Sequence, residues 1–347
     1  MGEVIKADLY NICNDENIPW DNLKDSAVLV TGATGLIGGA LIGALSAANS
    51  KHHLNMGIIG HGRNKARGEL LSHEYGAELI YGDIRAPISI NHIDGRLDYV
   101  FHCAAITQSA EMVAKPVEVM WAAALGTKNM LELALKKQCW SFVYLSSMEV
   151  YGQTGSGEVR ESDLGYLDLS APRSSYPESK RYCEMLCSAY HAQHGLPLKI
   201  ARLAQTFGAG TPQDDGRVFA QFARSAMAGE DIVLHTEGKS RGNYCYISDA
   251  VRGLLTLLLK GEDGEAYNIA HPAASMTIRE MAELVADEIC DGKIQVTVKI
   301  PDDIDSRGYA PDAGYVLNTD KVQDLGWMPK HGLAAMYRRL MADWDGR

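Results

Sequence analysis

Short apolar runs alternate with longer stretches of helical periodicity along the first 200 residues. Runs that are apolar throughout are typical of parallel strands buried on both faces of a sheet. Regular alternation of strand and helix predicts an α/β chain with a doubly wound parallel sheet. The predicted strands are residues 27–30, 55–60, 79–81, 99–102, 141–145 and 198–202.

A glycine-rich segment, residues 31–38, follows the first predicted strand and opens a helical stretch that runs to about residue 48. In that setting the glycines allow a tight turn and let the backbone approach a pyrophosphate, which the start of the helix also favours. The segment therefore predicts a dinucleotide site in a Rossmann-like fold. The residues expected to contact the dinucleotide here are Gly32, Thr34, Gly35, Leu36, Ile37 and Gly38.

The ends of the next three strands offer further contacts to a dinucleotide. A carboxylate at the end of the second strand would bind the ribose 2′-hydroxyl, but Arg63 follows that strand and could meet a 2′-phosphate instead. NAD is the expected cofactor, with NADP as the alternative. Asp83 and Ile84 follow the third strand, where a side chain could meet the adenine. Ala104 and Ala105 follow the fourth, and their small side chains leave room for the cofactor.

The pattern changes after residue 202. Glycines, a proline and two aspartates mark a long loop at 208–216, and shorter helices and strands follow it. We expect a dinucleotide-binding domain of residues 1–202 with about 238–268. The interleaved segments, about 203–237 and 269–347, would form a smaller C-terminal lobe that binds the substrate.

The composition, with 46% hydrophobic and 22% charged residues, is that of an ordinary globular protein. A net charge of −11 argues against a nucleic-acid or anionic membrane surface as partner, since both bind basic faces. No stretch is apolar over the ~18 residues that a membrane span needs. The seven scattered cysteines have no zinc-like spacing, so no metal is expected, and they favour a cytoplasmic location.

Tyr176 and Lys180 stand four residues apart at the start of a predicted helix that runs to about residue 194. Such residues share a face of a helix, and an ammonium beside a phenol stabilises the phenolate and lowers its pKa. The pair is therefore a candidate proton-transfer device. The same spacing also occurs by chance on amphipathic surface helices, so its neighbours have to decide between the two interpretations.

Two of those neighbours, Ser147 and Glu149, lie at the carboxyl end of the fifth predicted strand. Ligands bind at this edge of open parallel sheets, so the hydroxyl and the carboxylate are candidates for proton transfer. Ser146 and Ser147 could also serve only the turn. The polar, glycine-rich residues 153–172 predict a mobile lid.

In combination and order, these segments resemble the extended short-chain dehydrogenase/reductases of the nucleotide-sugar epimerase/dehydratase group. The likeness runs from about residue 28 to residue 329. It implies that Tyr176 abstracts the proton of the sugar C4 hydroxyl while hydride passes to the nicotinamide. It implies that Lys180 holds the nicotinamide ribose and lowers the tyrosine pKa, and that Ser147 hydrogen-bonds the C4 oxygen. The segments that carry it are residues 31–38, 82–84, 102–105, 146–152, 176–180, 202, 241–249 and 325–327.

The resemblance also implies the partners. A nucleotide-sugar substrate would be held through its diphosphate by Arg241 and Arg307, since arginine matches phosphate oxygens with a fixed fork of donors. Met148 and Gln205 stand at further substrate positions. The two long helices, residues 116–137 and 174–194, would pair across the two-fold axis of a homodimer.

The reaction depends on Glu149. UDP-glucuronate decarboxylases and several nucleotide-sugar 4,6-dehydratases carry glutamate there, and deprotonation of C5 needs a carboxylate. We therefore expect oxidation of sugar C4 to a transient ketone, followed by dehydration or decarboxylation, with Glu149 as the C5 base. Residues 173–181 also resemble the decarboxylase pattern. Met148, however, cannot donate a proton to a leaving C6 hydroxyl.

Three alternatives remain from the sequence. A 4-epimerase would return hydride to the opposite face of C4 and would not need a proton donor at Met148. An NADP-dependent ketosugar reductase would use Arg63 to bind its cofactor. A cofactor-binding sensor would share the fold without catalysing a reaction.

Overall fold

The computed structural model describes residues 1–88, 93, 95–300 and 314–346. Its strands are β1 (Ala27–Thr31), β2 (Gly57–Gly62), β3 (Glu78–Tyr81), β4 (Tyr99–His102), β5 (Ser141–Ser147), β6 (Ser156–Val159), β7 (Leu198–Leu203), β8 (Gln205–Phe207), β9 (Ile232–Leu234), β10 (Arg241–Gly242), β11 (Tyr244–Tyr246), β12 (Ala266–Ile269), β13 (Met276–Thr277), β14 (Val296–Val298) and β15 (Gly314–Leu317). Its α-helices are α1 (Glu3–Cys13), α2 (Leu36–His52), α3 (Lys65–Tyr75), α4 (Ser109–Ala114), α5 (Pro116–Lys137), α6 (Ser175–His194), α7 (Val218–Ala228), α8 (Ile247–Lys260), α9 (Ile278–Leu284), α10 (Asp320–Gln323) and α11 (Leu333–Asp345).

Seven of the described strands form one sheet in the order β12-β7-β5-β4-β1-β2-β3. All of its pairs are parallel. The chain builds outward from β1 through β2 and β3, and then returns to β4 on the other side of β1. This reversal puts a crevice at the carboxyl ends of β1 and β4, where doubly wound sheets bind ligands. The predicted Rossmann-like fold is confirmed.

Both faces of the sheet are buried, because successive side chains of a strand point to opposite faces. Val28 and Val30 join the apolar core that includes residues of α2 and α8, whereas Leu29 joins the core on the side of α5 and α6. Helix α1 packs against α2 and α8 on the first of these faces. The apolar runs of the sequence are therefore explained by the helices that cover both faces of the sheet.

Beyond the large sheet, the described strands pair two by two. The pairs are β8 with β11, β10 with β13, β9 with β14 and β6 with β15. Strand β6 falls inside the segment predicted to be a mobile lid, 153–172, and pairs there with β15. The mobility of the segment stays a prediction. Strand β12 joins the large sheet, as the predicted domain division requires, although the division itself stays a prediction.

Two helix starts follow from the residues that occupy them. Thr277 caps α9, since its hydroxyl and the Glu280 carboxylate each accept from the other residue's backbone N–H. Pro116 occupies the first turn of α5, where its missing N–H costs nothing. Across the described part of the chain, no helix is both long and apolar enough to cross a membrane.

Candidate active site

The glycine-rich turn between β1 and α2 has the features of an anion-binding site. Gly32 has a φ of 66°, and a Cβ on Gly38 would lie only 2.3 Å from the Gly32 carbonyl oxygen, so neither position tolerates a side chain. Helix α2 begins at Leu36, and its N-cap is Gly35, which provides no capping side chain. The N–H groups of a first helical turn lack intrahelical acceptors. They are therefore available to a pyrophosphate.

The end of β4 approaches the same turn closely. The Ala104 N–H donates to the Thr31 hydroxyl at 3.2 Å, and a Cβ on Gly32 would lie 2.9 Å from the Ala104 nitrogen. The Thr31 hydroxyl also lies 2.8 Å from Nδ1 of the buried His102, whose pKa is lowered to about 3 by burial. These contacts fix the backbone of Ala104 against the turn, and Ala105 is the next residue of the chain.

Charged residues follow β2 and β3. Arg63 is exposed directly after β2. Asp83 is bound by Arg85, whose Nη2 lies 2.6 Å from the carboxylate, and this contact lowers the pKa of Asp83 to about 2. The Ile84 side chain packs against α5, where an added Cβ on Gly126 would lie 3.0 Å from it. The structure therefore places Arg63 and Asp83 after the ends of β2 and β3, and Ile84 against α5.

These strand ends fit a dinucleotide. The crevice combines a turn that excludes side chains, a helix start without a side-chain cap and small residues on the facing strand. Within the described residues, no cluster of three or more histidines, cysteines, aspartates or glutamates could hold a metal ion.

Tyr176 and Lys180 meet at the start of α6, beside the end of β5. Both are buried. The Lys180 ammonium lies 5.9 Å from the centre of the Tyr176 ring and 4.8 Å from that of Tyr144. It donates to the Leu145 carbonyl oxygen at 2.6 Å, which anchors it on β5. The spacing that selected the pair in the sequence thus brings both side chains to the ligand-binding edge of the sheet.

The pKa of the Tyr176 phenol is raised, which is opposite to the shift that pairing with Lys180 suggested. Burial of the phenolate is the main cause, and the Glu149 carboxylate adds to it. Lys180 faces a carbonyl oxygen on β5, and its own pKa is lowered by burial. Three weaker influences lower the tyrosine pKa, a hydrogen bond with Ser147 and the charges of Arg173 and Arg217.

The two adjacent serines of β5 point to different places. Ser146 is buried and donates to the Glu184 carboxylate at 2.5 Å. Ser147 accepts from a backbone N–H and caps the 3₁₀-helix Met148–Tyr151. It also hydrogen-bonds Tyr176. The structure therefore separates a structural serine from the one that shares the site with the tyrosine, a choice that the sequence left open.

Glu149 is held by Arg173, whose Nη2 lies 2.9 Å from each carboxylate oxygen. The glutamate side chain is 37% exposed, so the pair is open to a ligand. Met148, next to it, is buried and has a thioether that carries no proton. Tyr315 of β15 donates to the Met148 carbonyl oxygen at 3.0 Å, so the C-terminal part of the chain packs onto this turn.

Two of the predicted substrate residues, Gln205 and Arg241, are hydrogen-bonded to other residues of the segments that follow β7. Gln205 opens β8 and donates its N–H to the Asn243 carbonyl oxygen at 2.9 Å. Arg241 donates to the Ser275 carbonyl oxygen at 2.9 Å and lies 3.5 Å from the Glu280 carboxylate. Arg307 lies outside the described residues. Their role in binding a diphosphate stays a prediction.

Sequence reasoning missed three contributors to the site. Arg173 stands three residues before Tyr176, a spacing of about one helical turn that could have linked it to the pair. Arg217 and Tyr315 come from distant segments, and no local spacing connects them to β5. Only the folded chain brings them together.

Comparisons with known proteins agree on the family and the fold. A family model described as the NAD-dependent epimerase/dehydratase family matches residues 28–270. UDP-glucuronic acid decarboxylase 6 of Arabidopsis thaliana is 32% identical over 307 residues, which cover 87% of this chain and 84% of that protein. UDP-glucuronic acid decarboxylase 1 of Danio rerio is 29% identical and covers 87% of this chain and 68% of its own length.

Solved structures share the whole fold. An epimerase from Methanothermobacter thermautotrophicus superposes with a TM-score of 0.78 at 24% identity, over 97% of this chain and 96% of its own. A UDP-glucose 4-epimerase from Thermotoga maritima gives 0.77 at 24%, over 92% and 98%. A dTDP-glucose 4,6-dehydratase from Streptomyces venezuelae with NAD bound gives 0.75 at 23%, over 92% and 97%.

Proposed function

The chain belongs to the NAD-dependent epimerase/dehydratase family, and from this premise we propose that it decarboxylates a nucleotide-linked uronic acid after oxidation at C4. The observation that carries the choice is the turn after β5, where a carboxylate held by an arginine stands next to a methionine. The plant and fish relatives, both named as UDP-glucuronic acid decarboxylases, support the same choice.

The first step uses the tyrosine, the serine and the lysine. Tyr176 accepts the proton of the C4 hydroxyl, and Ser147 hydrogen-bonds the C4 oxygen. Lys180 lies on the helical face of Tyr176 and would hold the nicotinamide ribose. The turn from Gly32 to Gly38 would hold the pyrophosphate through backbone N–H groups. When bound there, NAD supplies the hydride acceptor that oxidation of C4 requires.

The second step follows from the C4 ketone. In a uronic acid this ketone is β to the C6 carboxylate, so the C5–C6 bond can break with its electron pair moving onto the C4 oxygen. Carbon dioxide leaves, C5 takes a proton, and the C4 ketone is reduced again by return of the hydride that the first step removed. We assign delivery of the C5 proton to Glu149, which would take a proton from solvent on its exposed side and pass it to C5, with Arg173 holding the side chain in place.

Met148 distinguishes decarboxylation from dehydration. A dehydratase must protonate the leaving C6 hydroxyl, and a thioether has no proton to give. Glu149 would then have to take the C5 proton and return it to C6. Loss of carbon dioxide needs no acid at C6, so a methionine is compatible with it.

The test is a comparison of sugar nucleotides. The purified protein with NAD should convert UDP-glucuronate to carbon dioxide and a UDP-pentose, detected by mass spectrometry, and should leave dTDP-glucose unchanged. A 4-keto-6-deoxy product from dTDP-glucose, with no product from UDP-glucuronate, would replace decarboxylation by dehydration.

A nucleotide-sugar 4-epimerase is the second candidate, because return of hydride to the other face of C4 needs no acid at Met148. Glu149→Gln separates the two candidates. An epimerase would keep its rate in this variant, since it transfers no proton at C5. A decarboxylase would lose most of its product formation.

We also propose a homodimer through α5 and α6, which pack side by side. Their outer surface exposes apolar side chains that a second copy would cover. Light scattering should report a dimer, and Trp121→Glu should dissociate it, whereas Trp140→Glu, at an exposed tryptophan outside both helices, should not. A monomeric wild-type protein would contradict the proposal. The exposed residues are Val117, Met120, Trp121, Tyr182 and Met185.

A further inference from the structure

The Lys180 ammonium is a cation in the interior of the protein. The residue is 4% exposed, and burial lowers its pKa. Its side chain donates to the Leu145 carbonyl oxygen at 2.6 Å. A charge taken out of water needs partners that replace the lost hydration. A lysine that holds a ribose must also keep both its charge and its position.

The carboxylate one helical turn along α6 is engaged with other donors. Glu184 follows Lys180 by four residues, but it accepts from the Ser146 hydroxyl at 2.5 Å and from Arg202 Nη2 at 2.7 Å. Within the described residues, its ion pair is the one with Arg202. The charge of Lys180 therefore needs support from groups other than this carboxylate.

Tyr144 of β5 supplies such a group. The Lys180 ammonium lies 4.8 Å from the centre of its ring, within the ~6 Å over which an aromatic face attracts a cation. Tyr144 is 1% exposed, and this attraction grows where water is excluded. The next residue of the strand is Leu145, the acceptor for the same ammonium. Two successive residues of β5 thus hold Lys180, one by its ring and one by its carbonyl oxygen.

The hydroxyl of Tyr144 does not account for this residue. It is buried, and within the described part of the chain it has no oxygen or nitrogen as a hydrogen-bond partner. A buried hydroxyl without such a partner costs stability, so the ring is the part of the side chain that serves the site.

Other titratable groups face the same ammonium. They are His102 and Cys103 at the end of β4, and Tyr176, Cys183 and Cys187 on α6. Burial holds the pKa of His102 at about 3 and raises that of Cys187, so neither adds a charge at neutral pH. The contribution of the ring on β5 can therefore be tested separately from theirs.

We propose that Tyr144 is a positioning residue of the oxidation step, because its aromatic face holds the Lys180 ammonium charged and in place beside Tyr176. The inference rests on the role of Lys180 in the proposed function, but not on which reaction follows the oxidation.

Isothermal titration calorimetry with NAD, at several pH values between neutral and about 10, tests this without turnover. The wild-type affinity should fall as Lys180 loses its proton, because the ribose then loses a charge-assisted hydrogen bond. Tyr144→Leu removes the aromatic face, so the fall should begin about one pH unit lower. Tyr144→Phe keeps the face and should match the wild-type protein.

A fluorinated phenylalanine at position 144 separates the effect on the cation from packing. Its shape is close to that of phenylalanine, but fluorine withdraws electron density from the ring face and weakens its attraction for a cation. The fall in NAD affinity should again begin at lower pH, in a protein whose circular dichroism matches that of Tyr144→Phe.

Tyr244→Leu is the matched control. Tyr244 is also a buried strand tyrosine whose hydroxyl has no oxygen or nitrogen partner among the described residues, but its ring packs against Phe207. This variant should keep the wild-type pH dependence, and the same shift there as in Tyr144→Leu would overturn the inference. An unshifted profile with the fluorinated ring, or a wild-type affinity that does not change with pH, would also overturn it. A protein that binds NAD as expected but converts no sugar nucleotide would instead fail the proposed function alone.

Discussion

Two clusters at the end of β5 use the same three residue types for different purposes. Ser146, Glu184 and Arg202 form the first, and their two charged side chains are only 10% and 7% exposed. The Glu184 carboxylate accepts from the Ser146 hydroxyl at 2.5 Å and from the arginine Nε and Nη2 at 3.0 and 2.7 Å. Arg202 also donates to the Tyr151 hydroxyl at 3.1 Å. This cluster is closed to ligands.

The second cluster, Ser147, Glu149 and Arg173, begins one residue later and faces the Tyr176 side of the strand. Its glutamate and arginine are 37% and 19% exposed. An Arg–Glu pair is structural when it is buried and its carboxylate accepts from several donors, as in the first cluster. The carboxylate stays available for chemistry when part of the side chain is exposed, as in the second cluster. Alternation along one strand is enough to separate the two. Each of the following variants tests this division.

The largest effect is expected at the tyrosine beside the second cluster. Tyr176→Phe removes the group that takes the C4 proton and should lower kcat by about 10²–10⁴-fold, the usual contribution of a general base. The ring and its packing remain, so the fold should be unchanged by circular dichroism. Turnover at the wild-type rate would remove Tyr176 from the chemistry.

Exchanging each glutamate for glutamine compares the clusters directly. Glu184→Gln leaves the buried Arg202 without its partner charge and should lower the free energy of unfolding by about 3–5 kcal/mol. Glu149→Gln changes a half-exposed pair and should cost about 1 kcal/mol or less, yet it should abolish most pentose formation. Urea unfolding and product analysis measure the two effects. The reverse pattern would mean that the roles are exchanged.

We expect the two serines to differ in the same way, one in its effect on stability and the other in its effect on catalysis, with smaller effects than the glutamates. Ser146→Ala removes a buried donor to Glu184 and should lower the free energy of unfolding by about 1–3 kcal/mol. Ser147→Ala removes the cap of a short 3₁₀-helix and should cost about 0.5–1 kcal/mol. It should lower kcat more than it changes KM for the sugar nucleotide. Equal losses of stability in both variants would argue that both serines serve the turn.

The smallest effect at neutral pH concerns His102, the buried last residue of β4, whose ring contacts Thr31 at the end of β1. Its folded-state pKa of about 3 is below the ordinary value of 6.5. Its contribution to stability is therefore present above pH 6.5 and is lost as the pH falls from there toward 3, because the unfolded chain takes up the proton first. The loss should approach about 1.4 kcal/mol per pH unit.

Urea unfolding of the wild-type protein and of His102→Gln at several pH values between these limits measures that contribution. The variant should lose stability less steeply. Identical slopes would show that the histidine does not titrate differently in the folded chain.

Much of the large sheet could be predicted from the sequence because most of its strands contain a short apolar run. The bounds of α5 were also predictable, since Pro116 fixes its start and Gln138, with a φ of 54°, ends it. Strands β8, β10 and β13 have two or three residues, too few to show a periodicity. Strand β6 carries glycine and pairs with residues more than 150 positions away, so its local sequence indicated only a loop.

Four central members of the candidate site could be predicted from the sequence, but its electrostatics could not. A fixed spacing identifies Tyr176 and Lys180, and the position after β5 identifies Ser147 and Glu149. The raised pKa of Tyr176 depends on burial and on the closeness of Glu149, and both are properties of the folded chain. Arg217 enters from another segment for the same reason.

The most direct measurement is the fate of C5 and C6 of UDP-glucuronate in heavy water. With NAD and the sugar labelled with ¹³C at C6, we predict release of labelled carbon dioxide and a UDP-pentose that carries one deuterium at C5. Recovery of a six-carbon product that retains the label, whether a 4-epimer or unchanged substrate, would contradict decarboxylation by this chain.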